Sequence, residues 1–235
     1  MASTAAQAAA AARNQLETAL ARGVTVPMSR NRFPVANRTQ RNSAVLMLFG
    51  ALDRVAAAPA CEVGTVGPEL DVLLMRRSNG LRNHAGQISF PGGGVEPSDA
   101  NRAATALREA HEETGLDPSG VDVLGHLEDA HIPVSNYLVT PVLGWWRLPS
   151  EVSADYSESV EVFRVPVAEL IHPDSRGTSV LQFDGGVHTG PAFKLGPQLG
   201  GHTVWGFTAM MLSGLFDAVG WSVPWDTERT FEVTR

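Results

Sequence analysis

A single cysteine, Cys61, occurs in 235 residues, which removes an intrachain disulfide framework and any zinc site built on thiolates. One cysteine also suits a reducing compartment. Long apolar runs are missing: no stretch could span a bilayer, and the first residues hold no Leu/Val-rich secretory core. Cations are in the minority, with 18 Lys and Arg against 25 Asp and Glu, a formal charge of -7. That balance argues against a broad nucleic-acid surface, which needs basic charge. It leaves room for a phosphate-rich small molecule, whose charge a bound metal can meet locally. Two catalytic patterns are absent as well. No serine has the glycines of G-x-S-x-G on both sides, and Gly92-Gly93-Gly94 is not followed by the Lys and Ser/Thr of a P-loop. His126 and His131, five apart across a strand and a loop, offer poor geometry for a metal. The C-terminal Val233-Thr234-Arg235 is no peroxisomal signal. A soluble, cytoplasmic protein with no membrane partner is expected.

The first forty residues lack acid. Before Asp53 the only acidic residue is Glu17, against Arg13, Arg22, Arg30, Arg32, Arg38 and Arg41. Met1 to Arg22 is Ala-rich, and Gly23 and Pro27 would end any helix there. An organelle transit peptide, a terminal helix packed on the domain and a partner-facing arm all stay open. The expected organisation is an extension over 1–43 and one domain over 44–235, with a hydrophobic content of 43% adequate for a core. Strands are expected at Ala44 to Phe49, Asp71 to Met75, Val121 to Leu127, Tyr137 to Gly144 and Val160 to Val165. A helical turn should follow over Val167 to Ile171, then one hairpin within Pro173 to Gly201. Trp205, Ala209, Leu212 and Leu215 predict a closing helix over Val204 to Leu215. Strands interrupted by helices suggest an α/β/α sandwich around a mixed sheet.

The most informative stretch is Gly93 to Leu116. It opens as a glycine loop and continues as a helix for which Ser98 or Asp99 can supply the cap. Gly115 closes it as a left-handed C-cap. Ala103, Leu107, Ala110 and Thr114 recur at helical spacing and should face a core. Glu109, Glu112 and Glu113 lie three and four apart and should project from the opposite face. Carboxylates at that spacing repel one another, which a solvated surface tolerates and a bound divalent cation turns into affinity. Arg108, one turn before Glu112, and the flanking glycines favour the cation.

These residues resemble the Nudix box, G-x5-E-x7-R-E-U-x-E-E-x-G-U with U aliphatic. Arg108-Glu109-Ala110-x-Glu112-Glu113-x-Gly115-Leu116 matches its second half, with a small residue at the first U. In the first half, five residues after Gly93 lead to Asp99 instead of Glu, and eight rather than seven lead on to Arg108. The resemblance implies a Nudix-type α/β/α sandwich with a mixed β-sheet and a loop-helix-loop catalytic motif. It also implies that the early acidic residue is structural. Just upstream, Leu73-Leu74-Met75-Arg76-Arg77-Ser78-x3-Arg82-x3-Gly86-x3-Phe90-Pro91-Gly92-Gly93 resembles the signature of the coenzyme A diphosphatase branch, with Met75 where Thr is usual. That branch also carries the longer box with Asp.

The resemblance implies hydrolysis of the diphosphate bond of coenzyme A or acyl-CoA to 3′,5′-ADP and phosphopantetheine, free or acylated. Mg²⁺ or Mn²⁺ would be held by Glu109, Glu112, Glu113 and the Gly93 carbonyl, with Arg108 orienting Glu112. Arg77 and Arg82 would reach phosphate oxygens, as guanidinium forks do, with Gly86, Phe90 and Gly92 at the substrate. The general base stays open among Glu158, Glu161 and a box glutamate, with Glu158 preferred because it falls in a loop before a strand. The expected partner is a small molecule, not nucleic acid, and a homodimer is compatible with the sequence. Another nucleoside diphosphate derivative (ADP-ribose, NADH or a dNTP) and a catalytically idle nucleotide-binding regulator are the alternatives.

Overall fold

A computed structural model of the chain describes residues 2–26, 39–51, 66–78, 86–133, 135–183 and 186–234. Cys61 and Arg82 lie outside the described residues. The strands are β1 (Arg41–Ala51), β2 (Leu70–Arg77), β3 (Ile88–Ser89), β4 (Gly92–Gly94), β5 (Val121–His126), β6 (Ala130–Ile132), β7 (Tyr137–Trp146), β8 (Ser159–Pro166), β9 (Arg176–Phe183), β10 (Gly186–Lys194), β11 (Thr203–Val204) and β12 (Thr230–Val233). The α-helices are α1 (Ala2–Arg22), α2 (Arg102–Thr114), α3 (Val167–Ile171) and α4 (Gly206–Val219). The chain divides into two compact units: Arg30–Gly50 with Leu73–Phe163, and Met1–Ser29 with Ala51–Val72 and Arg164–Arg235.

β1 explains the larger sheet. Ala44, Leu46, Met47, Leu48 and Phe49 are all fully buried, so the strand shows no alternation. A continuous apolar run of this kind belongs to a strand covered on both faces. β1 runs parallel to β7, from Arg41 opposite Tyr137 to Phe49 opposite Trp145. β5 and β6 pair antiparallel to β7, and β4 antiparallel to β1. The sheet is therefore mixed, in the order β3-β2-β1-β7-β5, with β4 on β1, β6 on β7 and β8 on β2. This is the expected α/β class. α2 sets Ala106 and Ala110 against Leu46, Leu48, Leu73, Val142 and Trp146, with Ala103 and Leu107 partly buried at the margin. Two alanines at the contact let the helix backbone approach the sheet closely. Burying each of the leucines opposite them contributes roughly 1.5–3 kcal/mol.

Five short strands escaped the sequence reading: β3 is Ile-Ser, β4 is three glycines, β6 is Ala-His-Ile, β11 is Thr-Val, and β12 runs parallel to β9. None has a period long enough to register. The closing helix also starts later than expected, at Gly206, because Thr203 and Val204 pair with β10 instead.

In the other unit, β9 and β10 form the expected hairpin within a four-stranded sheet ordered β11-β10-β9-β12. The Ala-rich segment is a helix that Gly23 ends at φ 82. Its Ala12, Leu16 and Ala19 are buried in contact with α4, and Trp221 Nε1 donates to Gln15 Oε1 at 2.7 Å. Arg176 is buried, donates to Ser213 and Ser222, and lies over the rings of Phe193 and Trp225. Among the described residues no helix is long and apolar enough to cross a membrane.

Candidate active site

The box helix is held at both ends. Asn101 is the N-cap: its side chain accepts from the Ala104 amide at 2.9 Å. Neither Ser98 nor Asp99 caps it, which corrects the sequence expectation. Asp99 is otherwise engaged, accepting from Arg108 Nε at 3.0 Å and Nη2 at 3.1 Å, from Thr105 Oγ1 and from the Glu96 amide. Its hydrogen bonds from Arg108, then from Glu96, hold the carboxyl far below the usual carboxylate range. The residue that replaces the box's first Glu thus clasps the loop to the helix. At the other end Gly115 has φ 68, and its amide bonds the His111 carbonyl.

Arg108 is saturated. A guanidinium offers five N–H donors, and here they meet Asp99 (both oxygens), Glu109 at 3.0 Å, Glu112 at 3.1 Å and the Gly94 carbonyl at 3.0 Å. No donor is left for a substrate, so in this arrangement Arg108 orients carboxylates. Glu112 is the outlying member of the triad, with its side chain 56% exposed and tied to Arg108.

Glu113 departs most from expectation. It was placed on the outward face, yet it is 3% exposed. Ala106, Ala110 and Glu113 are spaced four and three apart, so the carboxylate sits on the margin of the buried stripe. Oε2 accepts from the Gly92 amide at 2.8 Å. Oε1 is buried and, among the described residues, receives no hydrogen bond; Arg77 Nη1 stands 3.7 Å away. Burial pushes the carboxyl from the ordinary 4.5 up to about 8. Gly92 and Arg77 pull it down, while Glu109 and Glu158 push it further up. Glu109 is raised too, mainly by burial, against the pull of Arg108 and with the help of Glu112 and Glu158. Glu109 and Glu113 therefore both feel the charge of Glu158.

The glycine strand makes room for them. A Cβ on Gly93 would lie 2.4 Å from the Glu109 carboxylate, and one on Gly92 (φ 155) 2.4 Å from the Ala44 carbonyl. Only residues without a side chain allow β4 to lie between β1 and the helix carboxylates.

The other expected residues divide. Arg77 is at the site, beside Glu113. Gly86 (φ 69) sits at the turn after the segment that holds Arg82, its amide bonded to the Arg77 carbonyl. Phe90, expected at the substrate, has a side chain 2% exposed and serves as core. Glu161 pairs with Arg76 at 2.8 Å, whereas Glu158 is exposed and close enough to Glu109 and Glu113 to raise both. His126 and His131 bond the Leu127 carbonyl and the Asn136 side chain. Among the described residues no three His, Cys, Asp or Glu side chains form a ready-made metal cluster.

Fold and site define an α/β protein with a carboxylate-rich helix packed beneath a glycine strand. The family model described as NUDIX domain matches residues 57–179, just over half of the chain, and the chain belongs to that family. Among curated proteins it is similar to the "Uncharacterized Nudix hydrolase NudL" of Escherichia coli (strain K12), 44% identical over 105 residues. The match covers 45% of this chain and 54% of that protein. The protein of the same name from Shigella boydii serotype 4 (strain Sb227) gives the same figures. The chain thus spans about half the length of the curated relatives it matches. Among solved structures it is similar to a Nudix hydrolase from M. smegmatis, RenU, at 20% identity and TM-score 0.42, over 59% of this chain and 80% of that one. A MutT/nudix family protein from Enterococcus faecalis aligns at 15% identity and TM-score 0.46, over 81% and 66% of the two chains.

Proposed function

We propose that this chain is a divalent-metal-dependent diphosphatase that hydrolyses the diphosphate bond of coenzyme A or an acyl-CoA, giving 3′,5′-ADP and phosphopantetheine, free or acylated. The observation that carries the reading is the Glu113 carboxylate, buried with one oxygen that receives no hydrogen bond among the described residues and repelled by Glu109 and Glu158. Burying a carboxylate among like charges costs stability, and a cation at this place offsets that cost. The donor set fits Mg²⁺ or Mn²⁺, because every available group is a hard oxygen. Glu109, Glu113 and the Gly93 carbonyl would hold the ion, and Glu112 would join by exchanging its bond to Arg108. When bound, the ion supplies positive charge that polarises phosphoryl oxygens and acidifies the attacking water.

The rest falls to the protein's own groups. Arg77, partly buried beside Glu113, lies where a phosphate oxygen can share its guanidinium. Arg108 keeps Glu109 and Glu112 in place. Glu158 takes the proton from the attacking water as its oxygen bonds to phosphorus and the bridging P–O bond breaks. The choice of coenzyme A rests on the run from Leu73 to Gly93, with its Arg77, Arg82 and Gly86, and on a 3′-phosphate that gives a second arginine something to bind. The test is turnover by purified protein with Mg²⁺ or Mn²⁺ across coenzyme A, acyl-CoA, ADP-ribose, NADH and dNTPs. Cleavage of the coenzyme A compounds, abolished by EDTA, is expected. Preference for another compound replaces the substrate, and nucleotide binding without turnover of any replaces the enzyme with a regulator.

A further inference from the structure

Glu158 sits in an exposed loop, yet a positioned base needs a fixed carboxylate. The loop holds itself through one side chain. Asp155 Oδ1 accepts from three successive backbone amides, Ser157 at 3.2 Å, Glu158 at 3.1 Å and Ser159 at 2.9 Å. Its Oδ2 accepts from the Ser157 hydroxyl. The chain is wound tightly enough here that Tyr156 adopts φ 63, a left-handed conformation rare for an aromatic residue. Its amide bonds the Ser159 carbonyl at 2.9 Å.

The wound loop is then tied down on both sides of Glu158. Ser159 is fully buried, and its hydroxyl donates to the Glu113 carbonyl at 2.7 Å, on the box helix itself. The same hydroxyl stands 3.0 Å from Asp155 Oδ1, so its one proton has two acceptors to serve, and the Asp155 amide donates to its oxygen at 3.2 Å. On the other side, the Glu158 carbonyl accepts from the Ser78 amide at 2.8 Å. The backbone that carries Glu158 is therefore tied to the helix that carries Glu109 and Glu113.

We propose that Asp155 is a positioning residue that, with Ser159, holds the Glu158 carboxylate against the glutamates of the box helix. The proposal rests on the reading of Glu158 as general base. Asp155 touches no reacting atom. Without its carboxylate three amides lose their acceptor and the left-handed turn at Tyr156 keeps only its backbone bond to Ser159, so the Glu158 carboxylate is held less closely in place.

A double-mutant cycle tests this, with kcat, KM and Mn²⁺ affinity measured for each variant. Asp155→Ala should lower kcat by about 10²-fold, the loss associated with misplacing a group by about 1 Å, and leave KM and Mn²⁺ affinity little changed. Asp155→Asn should restore most of kcat, because its carbonyl oxygen still accepts from the amides and its NH₂ can donate to a turned Ser157 hydroxyl. In a Glu158→Gln background, Asp155→Ala should lower kcat no further. An equal loss in both backgrounds, or failure of Asn to rescue, overturns the positioning role. Full kcat in Asp155→Ala beside a large loss in Glu158→Gln sinks the proposal and leaves the base standing. Full kcat in Glu158→Gln removes the base, and the positioning role with it.

Discussion

Replacing Glu113 by Gln should stabilise the metal-free protein while abolishing its turnover. Gln keeps an acceptor for the Gly92 amide, has nearly the same volume and removes the buried charge. It gives up the attraction to Arg77 across 3.7 Å and sets an NH₂ donor where Oε1 is buried without a partner among the described residues, a smaller cost than a buried charge. In the wild type, burial raises the folded-state pKa from 4.5 to about 8, so the native state holds the proton more tightly than the unfolded chain. The contribution is full below about pH 4.5, is lost progressively as pH rises toward 8, and is gone above it. Each tenfold in proton affinity is worth about 1.4 kcal/mol, which sets a ceiling of about 5 kcal/mol on the effect. In a chain of this size 1 kcal/mol moves Tm by roughly 2–4 °C.

Thermal unfolding of both proteins in EDTA should give closely similar Tm values near pH 5. The variant should pull ahead by several degrees near pH 9. Added Mn²⁺ should raise the wild type and not the variant and so close the gap, since an ion at 100 times its Kd adds about 2.7 kcal/mol to the protein that binds it. The variant lacks a ligand and gains little. Its turnover should fall by several powers of ten, at ~1.4 kcal/mol of lost transition-state stabilisation for each. A Tm difference that does not change with pH would refute the buried-charge argument. Near-wild-type turnover at saturating metal would refute the ligand assignment.

Gly93→Ala places a methyl group 2.4 Å from the Glu109 carboxylate and should weaken Mn²⁺ binding at least tenfold; unchanged affinity by titration would mean that Glu109 is not held there as a ligand. Arg82→Ala should reduce kcat/KM for coenzyme A far more than for dephospho-coenzyme A, and an equal loss on both would show that it does not read the 3′-phosphate. Glu158→Gln should lower kcat by about 10²–10⁴-fold, the span of a positioned base, with metal affinity retained; an unaltered kcat across the pH range would pass the role to Glu109 or Glu112.

The sequence by itself determined the local elements that carry their own period or punctuation. The apolar run at Ala44 to Phe49 had to be a covered strand, and Gly115 had to end the helix, because only glycine enters the left-handed region cheaply. The spacing of Glu109, Glu112 and Glu113 placed three carboxylates within one turn of a helix, since residues three and four apart are neighbours on its surface. The helix cap was misread from composition: Ser98, Asp99 and Asn101 are all good caps, and which one acts depends on what claims the others. Arg108, nine residues on, claims Asp99. Glu113 was misread because helical spacing ranks positions around a helix without saying how far the neighbouring sheet reaches over them. The reach of β1 and β4 buries it, and that burial separates it chemically from the exposed Glu112 beside it. The bonds of Asp155 and Ser159 to the loop and to the Glu113 carbonyl join residues as many as 46 positions apart. A contact of that kind has no signature in the chain, because folding alone sets the distance between its partners.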